Sequence, residues 1–157
     1  MTGKTHLAAG VLAGALTARH LGLDTVNTTG VMAISGMAAL FPDIDTANSV
    51  IGLKVRPLSA LINHIFGHRK LFHAPLVYLA LGVALYSALP LKLFLSIAGG
   101  VLSHLLLDSI TRRGIPWLYP FRREAFGITP IGAGGIVDKL LRYGFAGFTL
   151  YIVSLNI

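Results

Sequence analysis

The chain has 157 residues, 54% of them hydrophobic and 12% charged, with a mean hydropathy of +0.73. Soluble domains carry about a quarter charged residues, so this chain lacks the polar surface of an ordinary water-facing globule, and a membrane protein is a more economical reading than a small, very apolar soluble bundle. Its length suits one domain over 1–157, its lack of cysteine removes disulfides and thiolate metal sites, and its net charge of +7 first reports membrane orientation.

In chain order, "MTGKTHLAAG" carries one lysine and then a histidine before its weak apolar stretch, so no cleavable signal peptide is evident. Five apolar segments follow: Leu7–Leu23, Thr28–Phe41, Ala74–Leu89, Leu91–Ile110 and Leu140–Ile157. They are predicted to form an all-α integral membrane bundle of short helices, some of them under the ~20 residues of a full span. Small residues in "GVLAGA" and "SGMAAL" suit close helix packing in a bilayer. Pro90 separates the third and fourth segments at a tight turn. Two connections are more than loops. Residues 53–66 pair basic residues with a helix-like apolar stretch, and 112–126 ("RRGIPWLYPFRREAF") mix arginine with aromatic rings, as the headgroup region favours. The same mixture is also read as nucleic-acid binding, which the flanking spans make the weaker choice. The glycine-rich "GITPIGAGG" lacks a strand-then-helix context and reads as a turn.

Sorting the polar residues along an up-and-down path gathers them on one side. His6 lies at the start of the first segment, and Asp43 and Asp45 at the end of the second. His68 and His73 precede the third, and His104 and Asp108 close the fourth. Single histidines at helix ends are common, and His20 and His64 are read that way. Seven potential ligands converging on one face is a different matter, because ionisable groups at bilayer depth are costly and point to function. Eleven of the thirteen Lys and Arg residues fall on that same side, leaving only Arg19 and Lys92 opposite. The positive-inside rule then predicts a multi-pass protein of the inner, cytoplasmic membrane with the site facing the cytoplasm.

"HLLLD" sets His104 and Asp108 at i and i+4, on one helical face, and "PDID" puts two carboxylates in a turn after Pro42. Imidazole with carboxylate suits zinc, manganese or iron. Seven ligands exceed the need of one ion, so two metals about 3.5–4 Å apart, activating a water against a phosphoryl or acyl oxygen, are expected. Asp45, Arg69 and His73 are the expected catalytic residues. Arg69 and Lys70, or Arg112 and Arg113, would hold an anionic group, and Thr111 would support Asp108.

The stretches "THLAAG", "FPDID", "GHRKLFHA" and "SHLLLDSIT" followed by "RRGIPWLYPF" resemble the YdjM family in order and spacing. That resemblance implies an inner-membrane, metal-dependent hydrolase, a LexA-like protein partner, and a distant similarity to zinc-dependent phospholipase C and P1 nuclease. Its motif histidines and aspartates fall on His6, Asp43, Asp45, His68, His73, His104 and Asp108. Where the family often reads His-Arg-Gly-x-Thr-His-Ser, this chain has Lys70, Phe72 and Ala74, and Asp138 stands where a late carboxylate follows a glycine turn. The expected function is hydrolysis of a phosphoester such as a phospholipid or lipid-linked phosphate, with membrane lipid as partner and nucleic acid disfavoured. A metal transporter and a membrane-held regulatory module are the alternatives.

Overall fold

The computed structural model describes residues 1–67 and 69–155. Among them are six α-helices and no β-sheet: α1 (Gly3–His20), α2 (Thr25–Ala38), α3 (Arg56–Phe66), α4 (Pro75–Leu85), α5 (Leu91–Ile110) and α6 (Ile136–Ser154). Short 3₁₀ turns at Phe41–Asp45, Gly52–Lys54 and Leu71–His73 connect them, and one antiparallel bridge joins Ile115 to Phe126. The all-helical expectation holds, and the basic, apolar stretch before residue 67 is the additional helix α3.

α1, α2 and α5 pack as a tight three-helix core, with α6 laid against α1. The small-residue sequences make this possible. A Cβ at Gly100 would lie 2.1 Å from the Ser35 carbonyl oxygen, and one at Gly10 would lie 2.4 Å from the Ala39 Cβ. Only glycine lets those backbones meet. Ala39 is fully buried against Gly10, and Ala15 and Ala18 of α1 are fully buried too, so packing rests on close approach rather than on large side chains.

α4 behaves differently. It is apolar throughout, none of its residues is buried, and it touches α5 only sparsely. An all-apolar helix uncovered by protein needs another apolar surround. Leu79 and Val83 are 67% and 74% exposed, and on α6 Leu140 and Leu150 are 66% and 73% exposed. The accessible surface is 9100 Å², against about 7600 Å² for a compact soluble monomer of this mass. α5, with 20 residues, is long and apolar enough to cross a membrane, whereas α4, with 11, is a shorter apolar helix. At 1.5 Å per residue α4 reaches only about 16 Å.

Candidate metal centre

Four elements deliver the polar cluster, each for a local reason. Pro42 starts the 3₁₀ turn after α2, turning the chain so that Asp43 and Asp45 point back toward the bundle. α3 pins that turn from outside. Ser59 and Asn63, one helical turn apart, donate to the Ile44 and Asp45 carbonyls at 2.6 and 2.7 Å, and the Ser49 hydroxyl donates to the Asp43 carbonyl at 2.7 Å. The face of α3 carrying Leu58, Leu61 and Ile65 is exposed. The third 3₁₀ turn, Leu71–His73, sets His73, and the Tyr78 hydroxyl on α4 holds it by donating to the Phe72 carbonyl at 3.0 Å. α5 supplies His104 and Asp108 from one face, and the first turn of α1 supplies His6.

Asp45, Asp108, His6, His73 and His104 are all completely buried. Burying this many ionisable groups costs several kcal/mol per charge unless they are paired, so the cluster is not retained for stability. The Nε2 atoms of His73 and His104 face each other at 3.3 Å. His73 Nε2 lies 3.4 Å from Asp43 Oδ1 and 3.8 Å from Asp108 Oδ2, and His104 Nε2 lies 3.9 and 3.8 Å from the same two atoms. Neighbouring ligands of a tetrahedral ion with bonds of about 2.0–2.1 Å stand about 3.3–3.4 Å apart. The cluster is therefore close to a coordination shell, slightly relaxed.

Both imidazoles are oriented from behind. His104 Nδ1 lies 2.7 Å from the Ala39 carbonyl oxygen, which only a donor can satisfy, so its proton sits there and its Nε2 presents a lone pair. His73 Nδ1 faces Asp45 Oδ2 at 3.5 Å. With its proton on that side, His73 Nε2 also turns a lone pair inward. Two lone pairs and two carboxylate oxygens facing one another require a cation between them, either a proton on His73 or a metal ion. Burial by itself would lower the pKa of His73, but the neighbouring Asp43 and Asp45 outweigh it and raise the net value. Burial would likewise raise Asp43, and its contact with His73 brings it below the usual carboxylate value.

A second group of possible ligands overlaps the first. His6, Asp43 and His104 bring ligand atoms within 4.8 Å of one another, as do His73, His104 and Asp108. The His6 and His104 rings stack at 3.8 Å, and His6 Nε2 lies 3.2 Å from Asp108 Oδ1. Arg69 closes the remaining side. Its guanidinium pairs with Asp108 and donates to the Gly114 carbonyl at 3.0 Å, while its backbone N–H donates to Asp45 Oδ2 at 2.8 Å. Arg69 holds φ at +56°, a left-handed conformation that costs a non-glycine residue about 1 kcal/mol or more. Its Nε is buried without a hydrogen-bond partner among the described residues. The Met1 ammonium also pairs with Asp108.

Six of the seven expected ligands thus come together, and the seventh, His68, lies outside the described residues. Lys70, Arg112 and Arg113 are exposed and away from these contacts. Thr111 does support Asp108, but through the backbone: its hydroxyl donates to the Asp108 carbonyl at 2.8 Å. Asp138 proves to be a fastener. Its carboxylate accepts from the Thr2 N–H and hydroxyl at 3.0 and 2.8 Å and from the Gly134 N–H at 3.3 Å, tying α6 to the turn that carries His6. Ser59, Asn63 and Ala39 have no signal in the sequence, because their contributions are to backbone carbonyls or from one. Apolar spacing could have exposed α3 as amphipathic, but not which polar atoms it would meet.

Comparison with known proteins agrees with the motif pattern. The chain is 38% identical over 122 residues to the Bacillus subtilis (strain 168) protein YvsG, covering 76% of this chain and 74% of that one. It is 33% identical over 132 residues to the Escherichia coli (strain K12) inner membrane protein YdjM, covering 78% of this chain and 67% of that one. No solved structure matches. The family model described as YdjM inner membrane protein matches residues 1–155, and the chain belongs to that family.

Proposed function

We propose that this chain is a multi-pass inner-membrane hydrolase that uses a divalent metal, zinc above manganese or iron, to cleave a phosphoester at headgroup level on the cytoplasmic side. The observation that carries the reading is the facing pair His73 and His104, each oriented from its far nitrogen, with Asp43 and Asp108 oxygens 3.4–3.9 Å from their Nε2 atoms. Outer acceptors that fix the tautomer are what metal-ligating histidines ordinarily have. Zinc with nitrogen and carboxylate ligands fits this donor set without thiolates. A bound divalent ion would lower the pKa of a water and polarise a phosphoryl oxygen.

One ion is better supported than the two expected from ligand number. Both three-residue groups need His104, whose Nδ1 is already committed to Ala39. Its single free nitrogen serves one ion, so a second would need other donors. Among this chain's own residues, Asp45 holds His73 in register and Arg69 holds Asp108. The spare Arg69 Nε–H beside them suits an anionic oxygen of a substrate. The charge asymmetry of eleven cations against two supports the cytoplasmic face. The alternative of a regulatory module holding a LexA-like partner draws on the exposed Arg112, Arg113, Arg122 and Arg123.

The test is metal per chain in detergent-purified protein, beside a His104→Ala/Asp108→Asn double variant, with phosphoester hydrolysis measured on both. About one equivalent, lost in the variant together with hydrolysis, is expected. No bound metal in a chelator-free preparation refutes the hydrolase. Partner binding that survives the double variant but fails when the four arginines are replaced favours the regulatory module.

A further inference from the structure

An apolar groove of about 1190 Å³ runs between α4 and the wall formed by α2 and α5. That exceeds the roughly 300–1,000 Å³ of ordinary small-molecule pockets. Its two ends differ in chemistry. One lies at the α4–α5 turn, where Leu85, Leu89 and Phe94 line it. The other adjoins the cluster, and there the lining residues are sequence neighbours of the ligands. Phe41 stands two before Asp43, Pro75 two after His73, and Leu105 next to His104. Trp117 and Leu118 complete that end, in the segment that also carries the exposed Arg112, Arg113, Arg122 and Arg123. The groove itself is lined by apolar residues, and one of its ends is built from sequence neighbours of the ligands and of the arginine-bearing segment.

We propose that this groove is an acyl-chain subsite, which makes the substrate an amphiphilic lipid phosphate ester whose chain lies along α4 while its phosphate reaches the His/Asp cluster. The inference rests on the hydrolase reading above. Continuity with the ligand-bearing elements argues for this occupant: an amphiphile matches an apolar groove whose one end is formed by Phe41, Pro75 and Leu105, beside the residues that carry the His/Asp cluster, whereas a second apolar helix would have no use for that cluster. It also accounts for α4, which stands off the core with none of its residues buried.

Trp117 lines the cluster end and is the chain's single tryptophan, so its fluorescence reports binding without any need for turnover. The experiment titrates ethyl, butyl and octyl phosphate into metal-loaded protein held in amphipol, and measures hydrolysis of matching phosphate esters in parallel. Each buried methylene should tighten Kd about fourfold until the groove is filled. Gly82 lines the groove, and a Cβ there meets nothing within 4 Å, so Gly82→Phe is expected to fold and to fill the space. It should flatten the chain-length gradient and retain the metal.

Chain-independent binding by an active enzyme overturns the subsite and leaves the hydrolase standing. A gradient that persists in Gly82→Phe also overturns it. A steep gradient in a protein that binds no metal and cleaves no ester makes the groove a lipid site of another kind, and overturns its role in substrate choice. Silence of Trp117 with every chain, together with a dimer that Gly82→Phe dissociates, assigns the groove to a second copy.

Discussion

Replacing Gly100 with alanine adds one methyl group where α5 crosses α2. That methyl would lie 2.1 Å from the Ser35 carbonyl oxygen and 2.9 Å from the Ala38 Cβ, whereas ordinary contact begins at 3.4 Å. The obstacle is backbone, which cannot rotate aside, so the helices must part locally by about 1.3 Å. Overpacking of this kind costs about 1–3 kcal/mol, and the better helix propensity of alanine returns about 1 kcal/mol. A net loss of up to about 2 kcal/mol corresponds to a fall of up to roughly 8 °C in Tm for a chain of this size. The same displacement reaches the site, because His104 follows Gly100 by one turn and its acceptor Ala39 is next to Ala38. Functional geometry tolerates only about 0.5 Å, so metal affinity should drop at least about tenfold.

Gly82→Ala is the control. It too is a helical glycine, but a Cβ there meets nothing within 4 Å. It should gain up to about 1 kcal/mol from propensity and leave metal affinity unchanged. Thermal unfolding in detergent and chelator competition read both quantities. If Gly100→Ala raises Tm as Gly82→Ala does, with metal affinity intact, then α5 and α2 do not meet as described and the account of how the site is positioned is wrong.

Three further outcomes follow from the same geometry. Asp45→Asn keeps the side-chain volume but weakens the acceptor behind His73, and chelator competition should show a loss of about 10–100-fold in metal affinity. Asp138→Ala strands the Thr2 and Gly134 donors at a cost of about 1–3 kcal/mol, and hydrogen exchange over residues 1–6 should accelerate well before global unfolding. In metal-free protein His73 binds its proton more tightly than the unfolded chain does. Its stabilising contribution is therefore complete below the unfolded value of about 6.5 and is lost as pH rises through the raised folded value. Metal occupancy should move the opposite way, rising with pH as the proton is displaced. Tm measured against pH with and without metal checks both, and a metal-free Tm that climbs across that window would contradict the pairing of His73 with Asp43 and Asp45.

α5 was legible because its apolar run has the length of a span and carries His104 and Asp108 at a spacing that only a helix brings together. Convergence of the ligands was legible for a simpler reason: alternating helix ends share a side. Other features depend on contacts that one-dimensional spacing does not encode. α6 begins at Ile136 rather than near Leu140, because Asp138 is drawn into its first turn by Thr2 and Gly134. α4 ends at Leu85 rather than Leu89, since the residues before Pro90 turn instead of continuing the helix. Packing partners are hidden for the same reason, and nothing in "AGGVL" says which glycine meets a carbonyl.

The division of labour between the two aspartates of "FPDID" shows how spacing and geometry combine. In a 3₁₀ turn of about three residues per turn, side chains two apart point in different directions. Asp43 thus faces the His73 and His104 Nε2 atoms, while Asp45 turns to the far nitrogen of His73 and to the Arg69 backbone. The sequence offers two equivalent carboxylates, and the turn makes one an inward-facing donor and the other the group that aims the histidine. Ser49, Ser59 and Asn63 fix that difference by holding the carbonyls of the turn. α3 therefore bears directly on the chemistry although none of its residues faces the cluster. Ser59→Ala, which frees the Ile44 carbonyl, should weaken metal binding without removing a single ligand.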